Sequence, residues 1–438
     1  MPSQAGNDTM QNDAPKAGRE LSGDGLLLVV SALALAFVLF GFAVSGPADV
    51  FRGLGRILMA RDTLITDYIG LGGMGAAFVN AGLLTLVVAA IYRFSGATIG
   101  GGAVACLLLV LGFALFGKNL VNIWPIVLGV WLYARFKREK FAQHINTAFF
   151  GCALAPVVSE ILFSSALQVP VAIPLALATG LAMGFVLPPA AAQLFRAHDG
   201  FSLYNMGFTA GIIGTLTVAI YKSYGFVPEP VFIWSTGANR LLGAFLGVLF
   251  VALIAFAFLL DRRALAGMRA ILKMEGRSPS DFIEKAGAPA TLANMGVSGL
   301  VATCYVLVIG GDLNGPVIGA ILSIVGFAAY GKHPFNFMPI MAGVVVGSLA
   351  KPWGIADPSI LLAALFGTTL APIAGRFGWG WGIVAGFIHS SAAQTVGALH
   401  GGLNLYNNGF AAGIVASALT PVIFSISARL SDHPQEKL

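Results

Sequence analysis

Residues 377–428 contain no aspartate, glutamate, lysine or arginine, and the same is true of residues 161–195 and 68–92. An uncharged apolar run of about 18 residues or more is long enough to cross a bilayer. Hydrocarbon offers no partner to a backbone N–H or C=O, so such a run must close its hydrogen bonds within itself as a helix or within a barrel. A soluble domain carries about 25% charged residues, whereas this chain of 438 carries 10% and is 57% hydrophobic. The chain therefore reads as an all-α polytopic membrane protein whose first partner is the lipid bilayer.

Candidate hydrophobic segments fall at 25–45, 67–92, 99–116, 121–134, 145–165, 170–188, 203–221, 240–260, 290–309, 314–330, 336–350, 358–375, 379–397 and 406–428. The expectation is about 12–14 segments, several of them too short for a full crossing. The segment 121–134 lies between Lys118 and Arg135 and carries Pro125. Short pieces of this kind survive at membrane depth as broken or re-entrant helices, buried in protein or facing water. Gly25–Ser45 has the length of a full span and reads as an N-terminal anchor helix behind a disordered polar tail, 1–24. Asp49–Thr63 reads as an interfacial amphipathic helix with Phe51, Leu54 and Leu58 on one face and Arg52 and Arg56 on another, or as a polar loop.

The net charge of +6 points to nucleic acid only in a soluble protein. Here the basic residues cluster in short segments between apolar runs, at Arg135–Lys140 (RFKREK) and in Asp261–Lys285, and both clusters read as cytoplasmic under the positive-inside rule. The 351–357 loop, with only Lys351 and Asp357, reads as external, and no nucleic-acid partner is expected. Cys106, Cys152 and Cys304 lie in apolar stretches without CxxC spacing, so they read as small buried residues rather than a metal or disulfide framework. The sequence holds no phosphate-binding GxxxxGK[ST], no HExxH and no nucleophile elbow. No metal, cofactor or enzymatic activity is expected.

An internal repeat sets the architecture. Residues 184–212, GFVLPPAAAQLFRAHDGFSLYNMGFTAGI, match residues 386–414, GFIHSSAAQTVGALHGGLNLYNNGFAAGI, without a gap at 14 of 29 positions. Upstream, Gly117-Lys118, Asn122, Pro125 and Gly129 match Gly331-Lys332, Asn336, Pro339 and Gly343, and Gly151 with Ala155-Pro156 matches Gly367 with Ala371-Pro372. The organisation read from this is a first repeat over 67–222 and a second over 288–428. Residues 25–66 form the anchor and amphipathic segment, 223–287 a connecting helix and basic linker, and 429–438 a cytoplasmic tail. An odd number of segments separates matching points, which inverts the second repeat against the first. Inverted repeats with broken helices meeting at the midplane are a transporter and channel architecture.

Polar groups inside the hydrocarbon region mark a pathway when they are not merely satisfied by neighbours. The repeated LYNxGF places Tyr204 and Tyr406, Asn205 and Asn407 at the start of apolar elements, where the amides cap a helix or face a solute. His198 and His400 pair across the repeats and read as gate residues or as structural ones. His389, Ser390 and Gln394 add polar groups to the second repeat, where the first has prolines at the positions of Ser390 and Ser391. Glu160 aligns with Arg376 and is the one acid well inside a hydrophobic segment, so the two residues either pair across the repeats, line the pathway, or sit at helix ends in water. Thr368 and Thr369 supply hydroxyls at the level of Cys152 and Ala153, and Thr hydroxyls also bond within their own helix.

The region 67–428, with LYNxGFxAGI in both halves, resembles an uncharacterised bacterial membrane family, the domain-of-unknown-function 1576 group. A more distant similarity is to urea transporters. Asp357-Pro358-Ser359 through Leu361–Leu370 (LLAALFGTTL) is similar to their middle block, and Gly402–Ile414 and Gly200–Ile212 to their last. That resemblance implies an inverted-repeat channel, often trimeric, with Thr368 or Thr369 as the pore hydroxyl and Asn122 and Asn336 heading half-helices. The first repeat departs from it, reading HINTAFFGCALAP with neither the SP nor the GT. The expected function is passage of a small polar solute, urea-like or a small organic or ionic one, by facilitated diffusion in a homo-oligomer of the bacterial inner membrane. The rivals are a proton-coupled carrier using Glu160 or the pair His198/His400, and a non-transporting membrane enzyme or assembly factor.

Overall fold

The computed structural model describes residues 21–164 and 166–431, with side chains to residue 427. Most of the tail expected to be disordered lies outside the described residues, as do residues 432–438. The protein is all-α. The only strands among the described residues are Ile65–Thr66 and Phe232–Ile233, which pair in parallel. Among the described residues eight helices are long and apolar enough to cross a membrane, and shorter apolar helices lie at Gly101–Phe113, Gly315–Phe327 and Pro334–Ala350. The 14 segments expected are thus a mixture of full-length and short helices.

The order of helices in the first half recurs in the second. The first half runs Gly23–Val44, Pro47–Leu58, Tyr68–Gly72, Met74–Ser95, Gly101–Phe113, Trp124–Lys137, Ile145–Gly151 with Ala155–Phe163, Val169–His198 and Asn205–Ser223. The second runs Asn239–Leu260, Ala264–Ile271, Phe282–Ala286, Ala288–Val308, Gly315–Phe327, Pro334–Ala350, Pro358–Phe366 with Ala371–Phe377, Trp379–Thr395 and Asn407–Ser431. The helix expected as a lone anchor lies along Met74–Ser95, and the helix expected as a connector lies along Ala288–Val308 in the matching way. Both are members of their halves. A helix of this kind turns one stripe to protein and the rest to lipid, as Gly23–Val44 does with Leu26, Val30, Ala34, Phe37 and Gly41 buried. The amphipathic helix is present as Pro47–Leu58, but its buried face is Val50, Gly53, Leu54 and Ile57, and Phe51 is exposed. Gly53 lies against Gly72 and Ala76, and this close approach selects the buried face.

At the centre lie Gly101–Phe113 and Gly315–Phe327, both buried along almost their whole length. A helix apolar on all sides belongs in a core, and these two sequences contain no charged residue. Gly112 faces Gly319 and Gly326 faces Ala105, so the two helices run antiparallel and touch through glycine at both ends. Each half caps the other. Asp67 accepts from Gly315 N–H at 3.1 Å, and Asp281 accepts from Gly101 N–H at 2.6 Å. A carboxylate at a helix N-terminus satisfies an orphan donor and complements the dipole. Asn80 donates to the carbonyls of Ala114 and Lys118, and Asn294 does the same to those of Ala328 and Lys332.

The ion pairs match with their signs exchanged. Glu160 receives Arg61 at 3.0 and 3.1 Å, while Arg376 donates to Glu275. Arg61 and Glu275 stand at matching positions, as Glu160 and Arg376 do. Glu160 and Arg376 therefore do not pair with one another, because each is taken by a loop of its own half. The hydrogen bonds that Arg61 donates to Glu160 hold its guanidinium above its ordinary value. Of the cysteines, Cys106 and Cys152 are buried as expected, but Cys304 is exposed on the apolar helix Ala288–Val308.

Candidate functional site

The polar centre is built where each short central helix ends. After Phe113 the chain turns at Gly117, whose φ of +139° favours glycine, and Lys118 N–H returns to the Phe113 carbonyl. After Phe327 it turns at Gly331, φ +149°, and Lys332 N–H returns to the Phe327 carbonyl. Asn122 and Asn336 hold these turns. Each donates its amide to the glycine carbonyl, at 2.9 and 2.8 Å, and each offers its oxygen to the N–H of Asn119 or His333. They stand near the starts of Trp124–Lys137 and Pro334–Ala350, where they act as staples of the turn. Asn122 also donates to Asp62 and Ser159, and the Asp62 carboxylate is fully buried.

The turns deliver Lys118 and Lys332 to the interior, where both side chains are fully buried. Lys118 Nζ donates to the Phe149 carbonyl at 3.0 Å, at the end of the helix Ile145–Gly151. Lys332 Nζ donates to the Tyr204 hydroxyl at 2.6 Å and to Thr368 Oγ1 at 2.8 Å, in the break between Pro358–Phe366 and Ala371–Phe377. Tyr204 in turn donates to Ser323 at 2.7 Å. The matching neighbours in the first half are Cys152 for Thr368 and Leu109 for Ser323, and among the described residues the Tyr406 hydroxyl is buried without a partner. Among the described residues neither ammonium has a carboxylate within ion-pair distance.

Between the lysines runs a row of four rings. Phe113 stands 4.6 Å from Tyr406, Tyr406 5.5 Å from Tyr204, and Tyr204 4.7 Å from Phe327. Lys118 lies 5.1 Å from the Phe113 centroid and Lys332 4.4 Å from that of Tyr204, within cation–π range. Gly207 and Gly409 meet directly behind the two tyrosines, which lets the helices Asn205–Ser223 and Asn407–Ser431 cross closely. A cavity of about 280 Å³ reaches this row. Its wall includes Asn146, Thr147, Asn205, Ser278, Tyr330, Tyr204 and Tyr406, and no carboxylate. Tyr92 takes the Asn146 side-chain oxygen, leaving that amide its NH2 to donate.

The other expected site residues sort by what holds them. Thr369 accepts from Tyr204 N–H at 2.8 Å and fixes the tyrosine, and Thr368 receives Lys332. Asn205 and Asn407 do not cap their helices. Each donates to the carbonyl of Ala191 or Ala393 and offers its oxygen to His198 or His400, at 3.0 and 3.1 Å. The two histidines are thus buried struts between helices, although Asn205 also lines the cavity. His389 is buried against Asn408 at 3.2 Å, and Ser390 receives Lys351 at 2.7 Å, away from the cavity wall. Gln394 is exposed and belongs to no polar cluster. Reading the sequence passed over Lys118 and Lys332 as chemistry, along with Asp62, Asp67, Asp281, Asn80 and Asn294. The signal was present for all but Asp62, which matches Gly276, since the other Asp, Asn and Lys residues recur at the spacing that aligned Gly117-Lys118 with Gly331-Lys332.

No curated protein and no solved structure matches the chain. The family model described as "Protein of unknown function (DUF1576)" matches residues 46–223 and 260–425, one segment in each half and together most of the chain, so the protein belongs to this membrane family.

Proposed function

We propose that the protein passes a small polar solute across a bacterial inner membrane, through the interface between two inverted repeats. The observation carrying this reading is the cavity that ends on Tyr204 and Tyr406, where the two halves meet. The antiparallel central helices and the sign-exchanged ion pairs support an inverted relation. The positions matching Asn146, Thr147 and Tyr330 are Leu362, Ala363 and Phe116, all buried and apolar. The pathway is therefore open toward Ser278 of the basic linker and shut on the other side, and passage is gated rather than continuous. The Thr and Asn residues suggested by the urea-transporter resemblance act here as supports of the lysine–tyrosine row.

The test is solute flux in vesicles reconstituted with the purified full chain, urea being the first neutral probe. In a Cys304→Ser background, Thr147→Cys should become open to a bulky thiol reagent, and its modification should abolish flux. Flux of no solute at all, or flux indifferent to that modification, overturns the reading. A proton-coupled carrier is the second reading, and Asp62 favours it. Its Oδ2 receives Ser159 at 2.8 Å and Asn122 at 3.1 Å, while Oδ1 is buried with no hydrogen-bond partner among the described residues. A carboxylate so placed is stable when protonated. Uptake driven by a pH gradient and lost in Asp62→Asn would select this reading over passive passage. Glu160, His198 and His400 are taken by Arg61, Asn205 and Asn407.

A further inference from the structure

We propose that the solute is a small oxyanion, attracted into the cavity by the buried ammonium groups of Lys118 and Lys332. This rests on the transport reading above and names its substrate class. Burying an ammonium away from water costs several kcal/mol unless an opposite charge compensates it, so without an anion the uncharged amine is favoured and an entering anion favours the ammonium. Two such groups occupy matching positions at the ends of one ring row, and no carboxylate compensates either among the described residues. Capping the broken helices explains where the ammoniums point, since Lys118 meets the Phe149 carbonyl and Lys332 meets Thr368. It does not explain the missing negative charge.

The geometry connects that charge to the cavity. Lys332 donates to the Tyr204 hydroxyl, and the same tyrosine forms part of the cavity wall. Tyr406, on the wall beside it, holds a hydroxyl with no partner and stands against Phe113, the ring that faces Lys118. The wall adds the Asn146 NH2 and the hydroxyls of Ser278 and Tyr330, which suit acceptor oxygens, and it carries no acid. A cation in this cavity finds no carboxylate on the wall and is repelled by an ammonium on either lysine. A neutral solute gains nothing from them. An oxyanion both finds donors and supplies the charge the lysines lack, in a medium where such an interaction is weakly screened.

The experiment compares probes in vesicles containing the full chain at neutral pH: nitrate and glycolate as oxyanions, urea as the neutral solute, and methylammonium as the cation. The expected result is oxyanion flux at least about tenfold above that of urea and methylammonium, and a fall of about tenfold or more in Lys118→Met and in Lys332→Met. Flux of urea without that of nitrate or glycolate overturns the oxyanion assignment and leaves the transport reading standing. Absence of flux for every probe overturns both. Variants that keep oxyanion flux at the wild-type level also overturn the assignment. Should neither variant fold, the ranking of probes on the unaltered protein decides.

Discussion

Gly207 and Gly409 test the close crossing on which the tyrosine row depends. A Cβ at Gly207 would stand 2.9 Å from Gly409 Cα, and one at Gly409 would stand 3.0 Å from Gly207 Cα. Carbon atoms in contact prefer about 3.5 Å or more. Either Gly→Ala substitution therefore pushes the helices apart by roughly 0.6 Å, against backbone rather than a movable side-chain tip. Overpacking of this kind costs about 1–3 kcal/mol, and the better helix propensity of alanine returns up to about 1 kcal/mol. The expected net loss is about 1–2 kcal/mol for each variant, equal at the two sites because their contacts are reciprocal. The double variant should cost less than the sum, since the separation needed by one methyl also makes room for the other. The assay is reversible unfolding of the purified protein in mixed micelles, followed by tryptophan fluorescence. A neutral or stabilising single variant, a large difference between the two, or strict additivity would refute the crossing as described.

Three further outcomes follow from the matched contacts. Glu160→Gln should destabilise by about 2 kcal/mol by leaving Arg61 without its main partner, and Arg61→Glu with Glu160→Arg should recover most of it by copying the Glu275–Arg376 arrangement; the same unfolding assay reads both. Asn80→Ala and Asn294→Ala each strip two buried carbonyls of a donor and should each cost about 2–3 kcal/mol in that assay. Burial pushes the carboxyl of Asp62, in the loop after Pro47–Leu58 and outside the long spans, up to about 7 from an ordinary 3.8. A raised acid favours the folded state while protonated, so its contribution is whole below the ordinary value and is lost as pH rises toward about 7. Stability measured across that window should fall with pH in the unaltered protein and flatten in Asp62→Asn.

How far the sequence could lead is seen at two matched pairs of residues. The all-α membrane class was legible because charge-free runs permit little else, and the repeat was legible because LYNxGF survives in both halves. Asn205 and Asn407 were found by that identity, yet their role was not. An amide at a helix start has several satisfactory partners, and only the path of the preceding helix brings Ala191 or Ala393 within reach. Lys118 and Lys332 pose the converse problem. A lysine beside an apolar run reads as a boundary, since an ammonium ordinarily seeks water. Here a positive-φ glycine turns the chain back and carries the amine inward, and the turn is held by an asparagine five residues further along. The sequence displays Gly, Lys and Asn in both halves, but whether the lysine points to water or to the core depends on helices from elsewhere in the chain. The same dependence explains Glu160 and Arg376. Their alignment was visible, whereas Arg61 and Glu275 acquire meaning only once the loops fold over the ends of the broken helices. Sign exchange at these pairs, with the lysines kept, is compatible with two halves that share a packing scheme and, as proposed above, face opposite sides. The ion pairs hold loops, so either polarity serves, whereas on the proposed oxyanion pathway a central charge must have the same sign from both directions.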